Sequence, residues 1–104
     1  MLTNAEKSQL DEQGVLLLGN VITADEADAL RNLSLSLAVQ EREAGRGNMY
    51  LDDRAQRVWN LVDKDELFQR AIQHPRVLGA MGYLLGNDCT LSSFTVNIIS
   101  PGAP

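Results

Sequence analysis

The segment Thr90 to Ile99 (TLSSFTVNII), followed at once by Ser100-Pro101-Gly102-Ala103-Pro104, constrains the fold more than any other stretch of this chain. Its alternation puts Phe94, Val96 and Ile98 on one side and Ser93, Thr95 and Asn97 on the other, the period-two pattern of a strand with one face in a core. Proline and glycine then impose a turn. A strand in a stable sheet has its edges paired or protected, and no return strand follows this turn. The expectation is a strand drawn from a larger, truncated sheet. Asparagine is disfavoured inside strands, so the polar side reads either as a solvated face or as a wall turned towards a ligand.

The segments before this strand are punctuated by caps and breakers. Thr3-Asn4-Ala5-Glu6 has the spacing of a capping box, and Gly14 suits the left-handed residue that ends a helix. Val15 to Leu18 is an apolar run of strand length. Thr23-Ala24-Asp25-Glu26 is a second capping box, opening a helix from Ala24 to about Glu43 that carries Ala27, Leu30, Leu33 and Leu37 on one face. Met49 to Gln56 is polar and poorly periodic and reads as loop. Arg57 to Val62 reads as extended. Asp63-Lys64-Asp65-Glu66 caps a third helix that buries Leu67, Phe68, Ala71 and Ile72. His74 precedes Pro75 and so leaves the helical region, and Pro75 starts a fourth helix ending at Gly86. Helices and strands in this order, without a βαβ rhythm, predict an α+β fold.

With 104 residues and 44% apolar content, one small domain burying roughly two-thirds of its unfolded surface is within reach. Aromatic residues are only 5%, too few for an all-β core. A net charge of −5 opposes a nucleic-acid or anionic-membrane partner, because no basic stripe exists to displace counterions. No apolar run approaches the roughly 20 residues that span a bilayer. The single cysteine, Cys89, forms no internal disulfide, which points to a reducing cytoplasm.

Candidate chemistry is sparse. One histidine and one cysteine cannot make a two-histidine iron site or a structural zinc site. His74 is read as a helix-junction residue and Cys89 as a buried structural thiol. Gly45-Arg46-Gly47 follows a helix and lacks the Lys-Ser/Thr of a phosphate loop. Asp52-Asp53 reads as a solvated pair. Arg57 opens an apolar extended segment. It is either a surface arginine lying over Trp59 or a cation directed at a ligand carboxylate.

Taken in order, the segments resemble the N-terminal portion of the phytanoyl-CoA dioxygenase family. The residues that carry the likeness begin with Leu10-Asp11-Glu12-Gln13-Gly14-Val15-Leu16-Leu17-Leu18 and Val21-Ile22-Thr23-Ala24-Asp25-Glu26-Ala27. They continue through Arg57-Val58-Trp59-Asn60-Leu61, Phe68, His74-Pro75-Arg76-Val77-Leu78 and Leu84-Leu85-Gly86 to Asn97-Ile98-Ile99-Ser100-Pro101-Gly102-Ala103. The resemblance implies that residues 1–104 are the N-terminal part of a single oxygenase domain: a helical support layer plus the first strands of a double-stranded β-helix, or jelly roll. It implies an enzyme using iron(II), 2-oxoglutarate and oxygen to hydroxylate a small organic substrate. The iron ligands, a His-x-Asp and a distant histidine, would lie beyond Pro104, so the 104 residues alone would bind neither cofactor productively. Two positions carry over as cosubstrate contacts, Arg57 and Asn97. The rival expectation is an independent binding module whose unpaired terminal strand recruits a partner, or a second copy, by strand addition.

Overall fold

The computed structural model describes residues 1–104 as four α-helices and a three-stranded antiparallel sheet, an α+β arrangement. Helix α1 (Asn4–Gln13) and helix α2 (Ala24–Glu43) each begin at a threonine whose hydroxyl accepts from the amide three residues on, while the glutamate there accepts from the threonine amide. Each box satisfies two amides that a helix start otherwise leaves without partners. Gly14 closes α1 at φ 73°, in the left-handed region where glycine carries no Cβ penalty.

Strand β1 (Asn48–Tyr50) and strand β2 (Ala55–Val58) form a hairpin, and strand β3 (Val96–Ile99) lies on the other side of β2. In the registers Asn48 faces Arg57 and Tyr50 faces Ala55, while Arg57 faces Asn97 and Val58 faces Val96. A single 3₁₀ turn, Leu61–Asp63, leads from β2 to helix α3 (Glu66–Ile72), and helix α4 (Pro75–Leu85) follows. Asp65 caps α3 by accepting from the Leu67 amide, and His74 Nδ1 caps α4 by accepting from the Arg76 amide at 3.1 Å. The junction role expected of His74 is the one it occupies.

Five expectations are corrected, the first being that the segment Arg57 to Val62 is extended only as far as Val58, since Asn60 turns left-handed at φ 54° and Leu61–Asp63 is a 3₁₀ turn. Val15 to Leu18 forms no strand: Leu17 is 90% exposed, and no neighbouring segment offers backbone partners. Met49 to Gln56 is not loop but most of the β1–β2 hairpin. Its turn runs through Leu51, Asp52 and Asp53, all at φ between 52° and 61°, without the Asn-Gly or Asp-Gly pair that advertises a hairpin. The terminal strand is confined to Val96–Ile99, is preceded by irregular chain, and is paired along one edge with β2. Cys89 is exposed rather than buried.

The core is small. Val58 and Leu61 are fully buried, Phe68 and Ala38 nearly so, and Leu30, Leu33 and Leu37 of α2 close over them with Val96 and Ile98. Phe68 meets Phe94 edge to face, with centroids 5.9 Å apart. Gln56 is buried among these apolar groups because its Nε2 donates to the Ala38 carbonyl at 2.9 Å, tying β2 to α2. Lys64 reaches Glu41 at 2.8 Å and fixes the 3₁₀ turn to the end of α2.

Helices α1 and α4 are joined by polar contacts. Arg76 grips both oxygens of Glu6 and also donates to the Met1 carbonyl, and the Tyr83 hydroxyl donates to Asp11. The Arg76 guanidinium first, and the Thr3 amide second, hold the Glu6 carboxyl at about 2, below its ordinary 4.5. Gly79 gives room where the chain start crosses α4: a Cβ there would lie 3.1 Å from Met1 Cα, a tight contact.

The molecule is open for its length. Its radius of gyration is 16.4 Å, where about 13 Å is usual for a compact domain of this size. Its accessible surface of 7456 Å² exceeds the roughly 5,800 Å² expected at 11.4 kDa. Folding therefore buries about 55% of the unfolded surface rather than two-thirds. The excess is partly apolar: Leu78, Met81, Leu84 and Leu85 of α4 are all exposed.

Candidate functional site

The sheet has two unlike faces, set by alternation along β2. Gln56 and Val58 point into the core beneath α2, so Arg57 between them points to the opposite face, where it is exposed although Ala55 on the same face is buried. On β3 the same rule sends Val96 and Ile98 inward and Asn97 outward. The antiparallel register then makes Arg57 and Asn97 direct cross-strand partners, 40 positions apart in the chain.

Both residues singled out from the sequence thus meet at one place. Arg57 Nε donates to Asn97 Oδ1 at 3.3 Å. The guanidinium also lies over the Tyr50 ring, its Cζ 4.2 Å from the centroid, within the range at which the ring attracts a cation. Tyr50, not Trp59, is the aromatic surface beneath Arg57. Neither terminal nitrogen of Arg57 makes a hydrogen bond, and no carboxylate pairs with it. A guanidinium so placed retains the two parallel donors that a carboxylate accepts. Tyr50 was missed because it fell in the stretch read as loop. The signal available was the polar-apolar-aromatic run Asn48-Met49-Tyr50 before an Asp-Asp turn.

Arg57 and Tyr50 line none of the four main cavities, and the main concave feature lies at the outer edge of β3. It is a groove of about 450 Å³ between that strand and α2, lined by Leu30, Leu35, Phe68, Phe94, Val96 and Ile98, with Arg31 its only charged group. Asn97 borders it, and Arg57 does not. The backbone of β3 on this side has no strand partner.

His74, Cys89 and the Asp52-Asp53 pair do not converge, and no three His, Cys, Asp or Glu side chains lie close enough together to hold a metal ion. No helix is long and apolar enough to cross a membrane. No protein-family model, curated protein or solved structure matches the chain.

Proposed function

We propose that this chain forms the N-terminal part of an iron(II)- and 2-oxoglutarate-dependent oxygenase that hydroxylates a small organic substrate. In this reading the three strands are the first of a jelly roll and the helices are its support layer. The observation that carries it is Arg57, held by Asn97 with its terminal nitrogens free on the sheet face opposite the core. A charge-assisted pair between this guanidinium and a carboxylate of 2-oxoglutarate would contribute about 1.5–3 kcal/mol.

The residues present fit the cosubstrate's carboxylate but not the iron. A facial triad needs two histidines and a carboxylate, and this chain has one histidine, already used as a helix cap. The metal ligands must therefore come from other polypeptide. The excess exposed surface, the bare edge of β3 and the apolar groove beside it support a chain designed to be covered by more protein. The lone cysteine supports a reducing cytoplasm as its compartment. With the edge uncovered, self-association through β3 is the expected consequence.

The test uses the whole protein that carries these residues, supplied with iron(II), oxygen and 2-oxoglutarate. Succinate formation dependent on all three supports the proposal. A second reading, favoured by the free β3 edge, is a module that binds an extended peptide by strand addition. No succinate formation, together with amide shifts confined to Val96–Ile99 on peptide binding, would select it instead.

A further inference from the structure

The approach to Arg57 is narrower than an exposed arginine ordinarily offers. Asn97 occupies Nε, and the Tyr50 ring lies against the guanidinium with its centroid 4.2 Å from Cζ. The two terminal nitrogens stay without a hydrogen-bond partner. Tyr50 and Arg57 stand on neighbouring strands at diagonal positions, since Tyr50 faces Ala55 and Asn48 faces Arg57. That is a spacing which long and aromatic side chains bridge. Tyr50 is half-buried on a short strand, which limits the rotamers open to its ring. Arginine has large rotamer freedom to lose on binding, and a partner that restricts it beforehand lowers that cost.

We infer that Tyr50 is the positioning residue of this site: its ring fixes the Arg57 guanidinium so that the free edge meets a ligand carboxylate end on, in a two-point contact. This rests on the reading of Arg57 as the contact for 2-oxoglutarate. It adds a residue, and a role for its ring face rather than its hydroxyl. Asn97 supplies the second restraint, by accepting from Nε and thereby setting the rotation of the fork.

The experiment measures the dissociation constant of 2-oxoglutarate by calorimetry, together with KM for 2-oxoglutarate and kcat, in the whole protein, for wild type and for Tyr50→Phe, Tyr50→Leu, Tyr50→Ala and Arg57→Ala. The dissociation constant is expected to move with KM, and no binding by wild type overturns the inference. Loss of a cation–π contact at an exposed site corresponds to a change of about two- to fivefold. Tyr50→Ala and Tyr50→Leu are expected to raise KM by that factor with kcat within twofold of wild type. Tyr50→Phe, which keeps the ring, is expected to restore it. Tyr50→Leu keeps the apolar bulk, so it separates the lost cation–π contact from lost packing if the alanine variant folds poorly. Wild-type KM in Tyr50→Leu beside a raised KM in Arg57→Ala overturns the role of Tyr50 and leaves the oxygenase reading intact. Equal damage from Tyr50→Phe and Tyr50→Leu overturns it too, by assigning the effect to the hydroxyl. An unchanged KM in Arg57→Ala removes the site itself, and the inference with it.

Discussion

Truncating Phe68 to alanine should come close to unfolding this chain. Phe68 is 2% exposed and sits in a core of only four well-buried apolar side chains, with Ala38, Val58 and Leu61. Large-to-small changes of this kind cost about 3–5 kcal/mol, the lost transfer energy plus the cavity left behind. Of that, roughly 0.5–1.5 kcal/mol belongs to the edge-to-face contact with Phe94 at 5.9 Å. A domain of this length has a total stability of roughly 5–15 kcal/mol, and a core this thin puts it at the low end. The variant would retain about 0–2 kcal/mol. Urea titration followed by circular dichroism and by the fluorescence of Trp59, the single tryptophan, measures the loss. In a thermal melt it corresponds to a fall of at least roughly 12 °C. A double-mutant cycle with Phe94→Ala should return the aromatic coupling separately. A loss below about 1 kcal/mol for Phe68→Ala would refute the assignment of the core to this cluster.

Three further outcomes follow. Because the folded Glu6 carboxyl lies at about 2 against an ordinary 4.5, its contribution is complete above about pH 4.5 and is lost as pH falls towards 2. The melting temperatures of wild type and Glu6→Gln should therefore differ at pH 6 and converge near pH 2. Thr23→Ala, which removes the hydroxyl cap of α2, should cost about 1 kcal/mol by denaturant unfolding, with the end of α2 unaffected. The 104-residue chain alone should form no succinate from 2-oxoglutarate with iron(II) and oxygen, since one histidine cannot complete the metal site, and a chromatographic succinate assay checks this.

What could be read from the residues depended on whether the controlling interactions were local. The starts of α1, α2, α3 and α4 were readable because each cap acts within three residues: Thr3 on Glu6, Thr23 on Glu26, Asp65 on Leu67, His74 on Arg76. The strands were less so, because β structure is decided by partners distant in sequence. Val15 to Leu18 has strand composition and no partner, whereas Asn48 to Tyr50 has weak composition and gains one in β2. The hairpin turn hid itself by using Leu51, Asp52 and Asp53 in left-handed conformations that glycine or asparagine usually supplies. Asn97 stood out as an asparagine inside a strand and Arg57 as a cation opening an apolar segment, while their role as cosubstrate contacts came from the family resemblance. Their contact across 40 positions, the contact of Arg57 with the Tyr50 ring and the burial of Gln56 against Ala38 belong to the fold and had no local signature.

The central claim is that Arg57 receives a carboxylate of 2-oxoglutarate. Its most direct test is the dissociation constant of 2-oxoglutarate for the whole protein, by calorimetry, in wild type and Arg57→Ala, with a melt recorded beside each. The account predicts binding weaker by roughly ten- to a hundredfold in the variant, the equivalent of one charge-assisted pair, with only a small fall in melting temperature, because Arg57 is exposed and its contacts to Asn97 and Tyr50 lie at the surface. Unchanged affinity accompanied by a melting temperature several degrees lower would contradict it, and would make Arg57 a structural tie between the strands of Tyr50 and Asn97.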